Sequence, residues 1–150
     1  MNATLDAATL ARLGGEFAEA FNREDLDGAM AFFSDDVVYE TFDGKRPQGL
    51  AAVRKEFAPQ FRRRYGRLYF AQDAIHVDAS AQTVVMTWVC EHRPEAGQEF
   101  ANRLLPSAVR VLFGKNGGGW RGLDILTFRG KKICRKQTYA QAPLPLLRKL

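Results

Sequence analysis

At 150 residues the chain has the length of one domain, enough to bury roughly 70% of the surface its unfolded form exposes. With 46% hydrophobic and 26% charged residues it falls outside the disordered and collagen-like classes. The net charge is +5, no run approaches the ~18 apolar residues of a membrane span, and no basic-then-apolar signal pattern opens the chain, so a cytoplasmic protein is expected.

Leu10, Leu13, Phe17 and Phe21 recur at steps of three and four, which predicts a first helix that starts after Asp6 and fades near Asn22. Asp25 is placed to cap a shorter second helix with Leu26, Met30 and Phe33 inward, and Ser34, Asp35 and Asp36 are expected to break it. Residues 37–42, VVYETF, then read as the first strand, with Tyr39 and Thr41 on one face and Glu40 on the other. Leu50, Val53, Phe57 and Phe61 predict a third helix to about Arg64, kinked or shortened by Pro59. Beyond Gly66 the pattern changes to strands, at residues 67–79, 82–93, 100–113, 119–128 and 131–141. Pro106 marks a bulge or an edge in the third of these, and the last two are joined tightly enough for a hairpin.

Helices followed by antiparallel strands describe a single α+β domain over residues 1–150. The expected form is a cone-shaped α+β barrel, three N-terminal helices packed on a curved, mainly antiparallel sheet of about six strands, with room for a small-molecule pocket. The positive charge gathers in FRRRYGR and FRGKKICRK, at a helix end and along a strand, without a basic-aromatic module, so nucleic acid is not the expected partner. Cys90 and Cys134 have no metal-ligand spacing and read as free thiols. GKNGGG lacks the ending of a phosphate loop, and no metal site or nucleophile triad is discernible, so no metal or cofactor is expected.

One residue stands out. Asp124 lies within LDILTF, between apolar neighbours, and an ionised carboxylate is expensive to bury alone. It must face solvent, pair with a cation such as Arg121, Arg135 or Lys136, or be held protonated in a cavity. Alternation places it on one face with Leu126 and Phe128, and an apolar face raises the pKa of an acid. His92 shares a face with Trp88 and Cys90; it is a candidate base if that face points inward and an ordinary strand-end histidine if it does not. His76 alternates outward with Asp78. Tyr39 and Tyr139 are candidates to offer hydroxyls to a pocket.

Residues 16–44 carry an acidic turn at Asp25 to Asp27, an apolar pair at Phe32 and Phe33, a doublet at Asp35 and Asp36, and a strand from Val37 toward Gly44. With residues 48–57 and 122–133, this order resembles the SnoaL-like and ketosteroid isomerase-like branch of the nuclear transport factor 2-like superfamily. The resemblance implies a homodimer through the sheet face and a pocket lined by Phe17, Phe21, Phe57, Phe61 and Trp88. It places Asp124 where isomerases keep a neutral, hydrogen-bond-donating carboxyl and where SnoaL-type cyclases keep an acid/base aspartate. Two positions depart: Thr41 stands where the isomerase has its general base, and Phe17 where it has its oxyanion tyrosine. The expected function is therefore a cofactor-free isomerase, cyclase or lyase acting on a hydrophobic or aromatic carbonyl compound. Asp124 would be the acid, with His92 or a water held by Tyr39 and Thr41 as base, and Asp124→Asn would abolish turnover at little cost in stability. The competing expectation is a non-catalytic ligand-binding or dimerisation scaffold, which the two departures favour.

Overall fold

A computed structural model describes residues 4–63, 67–93 and 118–141. Helix α1, Ala7–Asn22, begins where Asp6 accepts a 2.7 Å hydrogen bond from the Thr9 amide. Leu10, Leu13, Phe17 and Ala20 are its buried stripe. Gly14 belongs to that stripe because a Cβ there would come within 3.1 Å of Val84 Cγ1 and 3.2 Å of Met86 Sδ. Helix α2, Leu26–Met30, is capped by Asp25 as expected but is only one turn long.

Phe33, expected on α2, instead opens strand β1, Phe33–Glu40, and Ser34, Asp35 and Asp36 lie inside the strand rather than breaking it. The physical reason is their position at the sheet edge. Ser34 donates to Asp36 at 2.8 Å and Arg129 to Asp36 at 2.9 Å, so the polar run is satisfied at the surface. These hydrogen bonds, Ser34's first, hold the Asp36 carboxyl below its usual value. Helix α3, Leu50–Phe61, contains Pro59 and stops two residues after it, short of Arg64; Arg63 follows with φ of 56°, a left-handed conformation that ends a helix.

Strands β2, Arg67–Asp78, β3, Thr83–Arg93, β4, Gly118–Arg129, and β5, Lys132–Gln141, follow. The sheet runs β1-β5-β4-β3-β2, antiparallel except for the parallel β1–β5 pair. The domain is thus α+β, and the described residues form three helices on a five-stranded mixed sheet. The sixth strand expected at residues 100–113, with Pro106, lies outside the described residues. Helix α1 packs on β2 and β3, and α3 packs on β1.

Both sheet edges are covered by short devices. Asn22 at the end of α1 donates to the Phe70 carbonyl at 3.0 Å and accepts from the Phe70 amide at 2.9 Å, pairing with edge strand β2 as a neighbouring strand would. On the β1 side, the Tyr39 and Thr41 amides each donate at 3.0 Å to the carbonyls of Pro47 and Lys45. Among the described residues no helix is long and apolar enough to cross a membrane.

Candidate active site

Strand alternation aims Gly122, Asp124, Leu126 and Phe128 of β4 at the helices. Leu126 and Phe128 are buried core, 0% and 4% exposed. Asp124 pairs across the ladder with Thr138 on β5 and Met86 on β3; Leu126 pairs with Lys136, which in turn faces Tyr39 on β1. Four polar side chains therefore meet on one otherwise apolar face.

Lys136 explains Asp124. Its ammonium forms an ion pair with Asp124 Oδ1, donates to Thr138 Oγ1 at 2.5 Å, and sits 4.8 Å from the centre of the Tyr39 ring. Thr138 Oγ1 donates to the same Asp124 oxygen at 2.5 Å and stands 3.3 Å from the Tyr39 hydroxyl. The lysine side chain is 4% exposed and the aspartate 15%. Of the three cations that the sequence offers to Asp124, Lys136 is the partner; Arg135 reaches Glu40 at 2.7 Å on the opposite face, and Arg121 is exposed. Asp124 Oδ2 accepts no hydrogen bond among the described residues.

Neither Lys136 nor Thr138 is evident from alternation, because β5 carries an extra residue. Thr127 pairs with Arg135, but Phe128 pairs with Ile133, so Cys134 bulges out of the ladder. Alternation carried on from the buried Ile133 would aim Arg135, Gln137 and Tyr139 inward. The bulge reverses this, so Lys136 and Thr138 point in and Tyr139, 54% exposed, points out. Tyr139 is therefore not brought to the site.

The remaining candidates separate in the same way. Tyr39 is buried and stacks on Phe57 with centroids 4.9 Å apart. Phe17, Phe21, Phe57 and Phe61 pack on one another, with Phe21 5.0 Å from Phe17 and 5.1 Å from both Phe57 and Phe61. Phe21 and Phe61 also line a small recess with Glu24, Gln60 and Leu68. Thr41 is buried, but its hydroxyl is committed to a turn: it donates to Asp43 and accepts from the Lys45 amide at 2.9 Å. The bond from the Thr41 hydroxyl to Asp43 is also the main reason the Asp43 carboxyl is held below its usual value. Trp88 lies over Gly122, with Phe70 at right angles 5.1 Å away. His92 pairs with Leu68 in the β2–β3 ladder, and its side chain lies outside the described residues. Cys90 is buried, which pushes its thiol up to about 12, with Glu91 adding to the effect. His76 is exposed.

The fold and the sequence together define a SnoaL-like protein of the nuclear transport factor 2-like superfamily. The sequence profile described as SnoaL-like domain matches residues 15–136, and the chain belongs to that family. Solved structures of similar fold include a SnoaL-like protein of unknown function from Burkholderia thailandensis E264, at TM-score 0.65 and 14% identity, covering 92% of this chain and 99% of that one. The epoxide hydrolase/cyclase-like enzyme SalBIII, which acts in pyran ring formation in the polyether salinomycin, has a TM-score of 0.65 and 14% identity, covering 91% and 93%. A candidate polyketide cyclase from Xanthomonas campestris pv. campestris has a TM-score of 0.59 and 22% identity, covering 88% and 90%. No curated protein matches the chain in sequence.

Proposed function

We propose that the chain is a small-molecule pocket protein that moves a proton on a hydrophobic, carbonyl-containing compound without a cofactor. The observation that carries this reading is Asp124, held on the helix-facing side of the sheet by Lys136 and Thr138, both at Oδ1, with Oδ2 accepting no hydrogen bond among the described residues. In this reading Asp124, beside Lys136, serves as the base, a change from the donor role that the isomerase resemblance implies. The carboxylate takes a proton from the carbon beside the carbonyl, the C–H electron pair enters a C=C bond, and the carbonyl oxygen takes up the negative charge. In a conjugated enolate, return of the proton to a different carbon completes an isomerisation; in a cyclisation the enolate carbon instead attacks a second carbonyl of the same molecule, and the proton goes to the alkoxide so formed. The names of the cyclase and cyclase-like structural neighbours are consistent with this chemistry.

A specific observation favours a second reading, a non-catalytic binding scaffold. Lys136 already has Asp124, Thr138 and the Tyr39 ring as neighbours, so its charge is answered without a ligand. Incubation with α-tetralone in heavy water distinguishes the two. Deuterium entering beside the carbonyl faster than in buffer supports catalysis. Saturable binding with exchange at the buffer rate supports the scaffold, and absence of both overturns the pocket reading for ketones of this class.

A further inference from the structure

Trp88 carries a hydrogen-bond donor that no described residue uses. Its Nε1 is buried and has no acceptor among the described residues. Buried donors are nearly always paired, and an indole nitrogen can only donate. The ring is held in a fitted place: Gly122 is its cross-strand partner, and a Cβ on Gly122 would come within 2.7 Å of Trp88 Cη2 and Cζ2. Strand β4 thus keeps a glycine where the indole lies and, two residues further along the same face, Asp124 with Oδ2 unspent. Diagonal neighbours of this kind have Cα atoms about 7–8 Å apart, a span that one ring-sized molecule bridges.

We infer that the Trp88 indole N–H holds the carbonyl oxygen of the ligand while Asp124 Oδ2 faces the adjacent C–H or O–H group. The inference rests on the pocket reading above and narrows it to cyclic or aryl ketones, whose flat ring the Trp88 and Phe70 side chains suit and whose oxygen supplies the missing acceptor. An N–H with nothing but apolar contacts to offer would gain nothing from a hydrocarbon of the same shape. The oxygen is therefore the recognised atom.

The test is an NMR titration of the full ¹⁵N-labelled chain, whose two tryptophans give two indole N–H signals, assigned with Trp120→Phe. α-Tetralone and tetralin, the same skeleton without oxygen, are the probes. The expected result is a downfield shift of the Trp88 indole proton with α-tetralone and none with tetralin. Trp88→Phe should weaken α-tetralone binding about three- to tenfold more than it weakens tetralin binding, the difference being the loss of one hydrogen bond. If α-tetralone binds with the Trp88 signal unmoved and equal affinity for Trp88→Phe, the inference is overturned while the pocket reading stands. An indole N–H resting against the Phe70 ring would give that outcome. Binding of neither probe overturns both. A Trp88→Phe variant that does not fold leaves the wild-type titration to decide.

Discussion

Replacing Asp124 by Asn removes one charge and keeps the shape, which makes the energetic role of Lys136 measurable. The asparagine oxygen still accepts from Thr138, but the Lys136 ammonium, 4% exposed, then has no anion beside it. Breaking a buried ion pair by removing one partner costs about 3–5 kcal/mol, because the other charge stays desolvated. Two features place this site at the lower end: Asp124 is 15% exposed, and the Tyr39 ring and Thr138 hydroxyl remain to solvate the ammonium. We expect a loss of about 3 kcal/mol, or roughly 6–12 °C in Tm for a chain of this length. Lys136→Met alone should also destabilise, since it strands the carboxylate. The double variant Asp124→Asn/Lys136→Met should recover most of the loss, as paired removal of buried charges is often near neutral. Urea unfolding followed by tryptophan fluorescence completes the cycle. If the two single losses simply add, to within about 0.5 kcal/mol, the pair is not coupled and the reasoning is refuted. The result also governs how activity is read: lost turnover in Asp124→Asn identifies a proton carrier only at temperatures where that variant is folded.

Gly122→Ala would put a methyl 2.3 Å from the Tyr139 carbonyl and 2.7 Å from the Trp88 ring; it should cost about 1–3 kcal/mol and alter tryptophan fluorescence, and an unchanged spectrum and Tm would contradict the packing described. Cys90 should resist a thiol reagent in the folded protein and react on unfolding, and rapid reaction at neutral pH would show it to be accessible. Because its folded thiol value, about 12, lies above the reference of 9.0, the stability that Cys90 contributes is full below pH 9 and is lost as pH rises toward 12, which alkaline melting curves would register. Finally, the outer sheet face, where exposed Tyr139 pairs with Leu123, is proposed as the seat of a homodimer; Tyr139→Glu should shift sedimentation toward monomer, and a wild-type monomer at micromolar concentration would exclude it.

Much of the fold is legible in the sequence because its signals are local. The stripe from Leu10 to Phe17, the Asp6 and Asp25 caps and the alternation through TVVMTWV each need only a few neighbouring residues to be read. The failures share a different cause. Whether Ser34, Asp35 and Asp36 break a helix or extend a strand depends on Ile133 and Arg129, about a hundred residues away, which supply the pairing and the countercharge. Local composition favours a turn there, and tertiary contact overrides it.

The site illustrates the same point at finer scale. Asp124 is conspicuous as a charge inside an apolar strand, and the cations able to answer it are few. Choosing among Arg121, Arg135 and Lys136 requires knowing which faces of β5 point inward, and one bulged residue at Cys134 decides that. The bulge has no strong sequence signature: no glycine or proline marks KICRKQTY, and both arginine and lysine are plausible on an outer face. Its consequence is chemical as well as geometric. With the register unbroken, Gln137 would stand opposite Asp124 and Arg135 opposite Leu126, so a guanidinium would lie beside the carboxyl. With it shifted, Thr138 and the Lys136 ammonium take those two places, and Arg135 turns to Glu40 on the other face. A single inserted residue in a strand thus decides which of two neighbouring cations answers Asp124, and leaves the other to pair with Glu40.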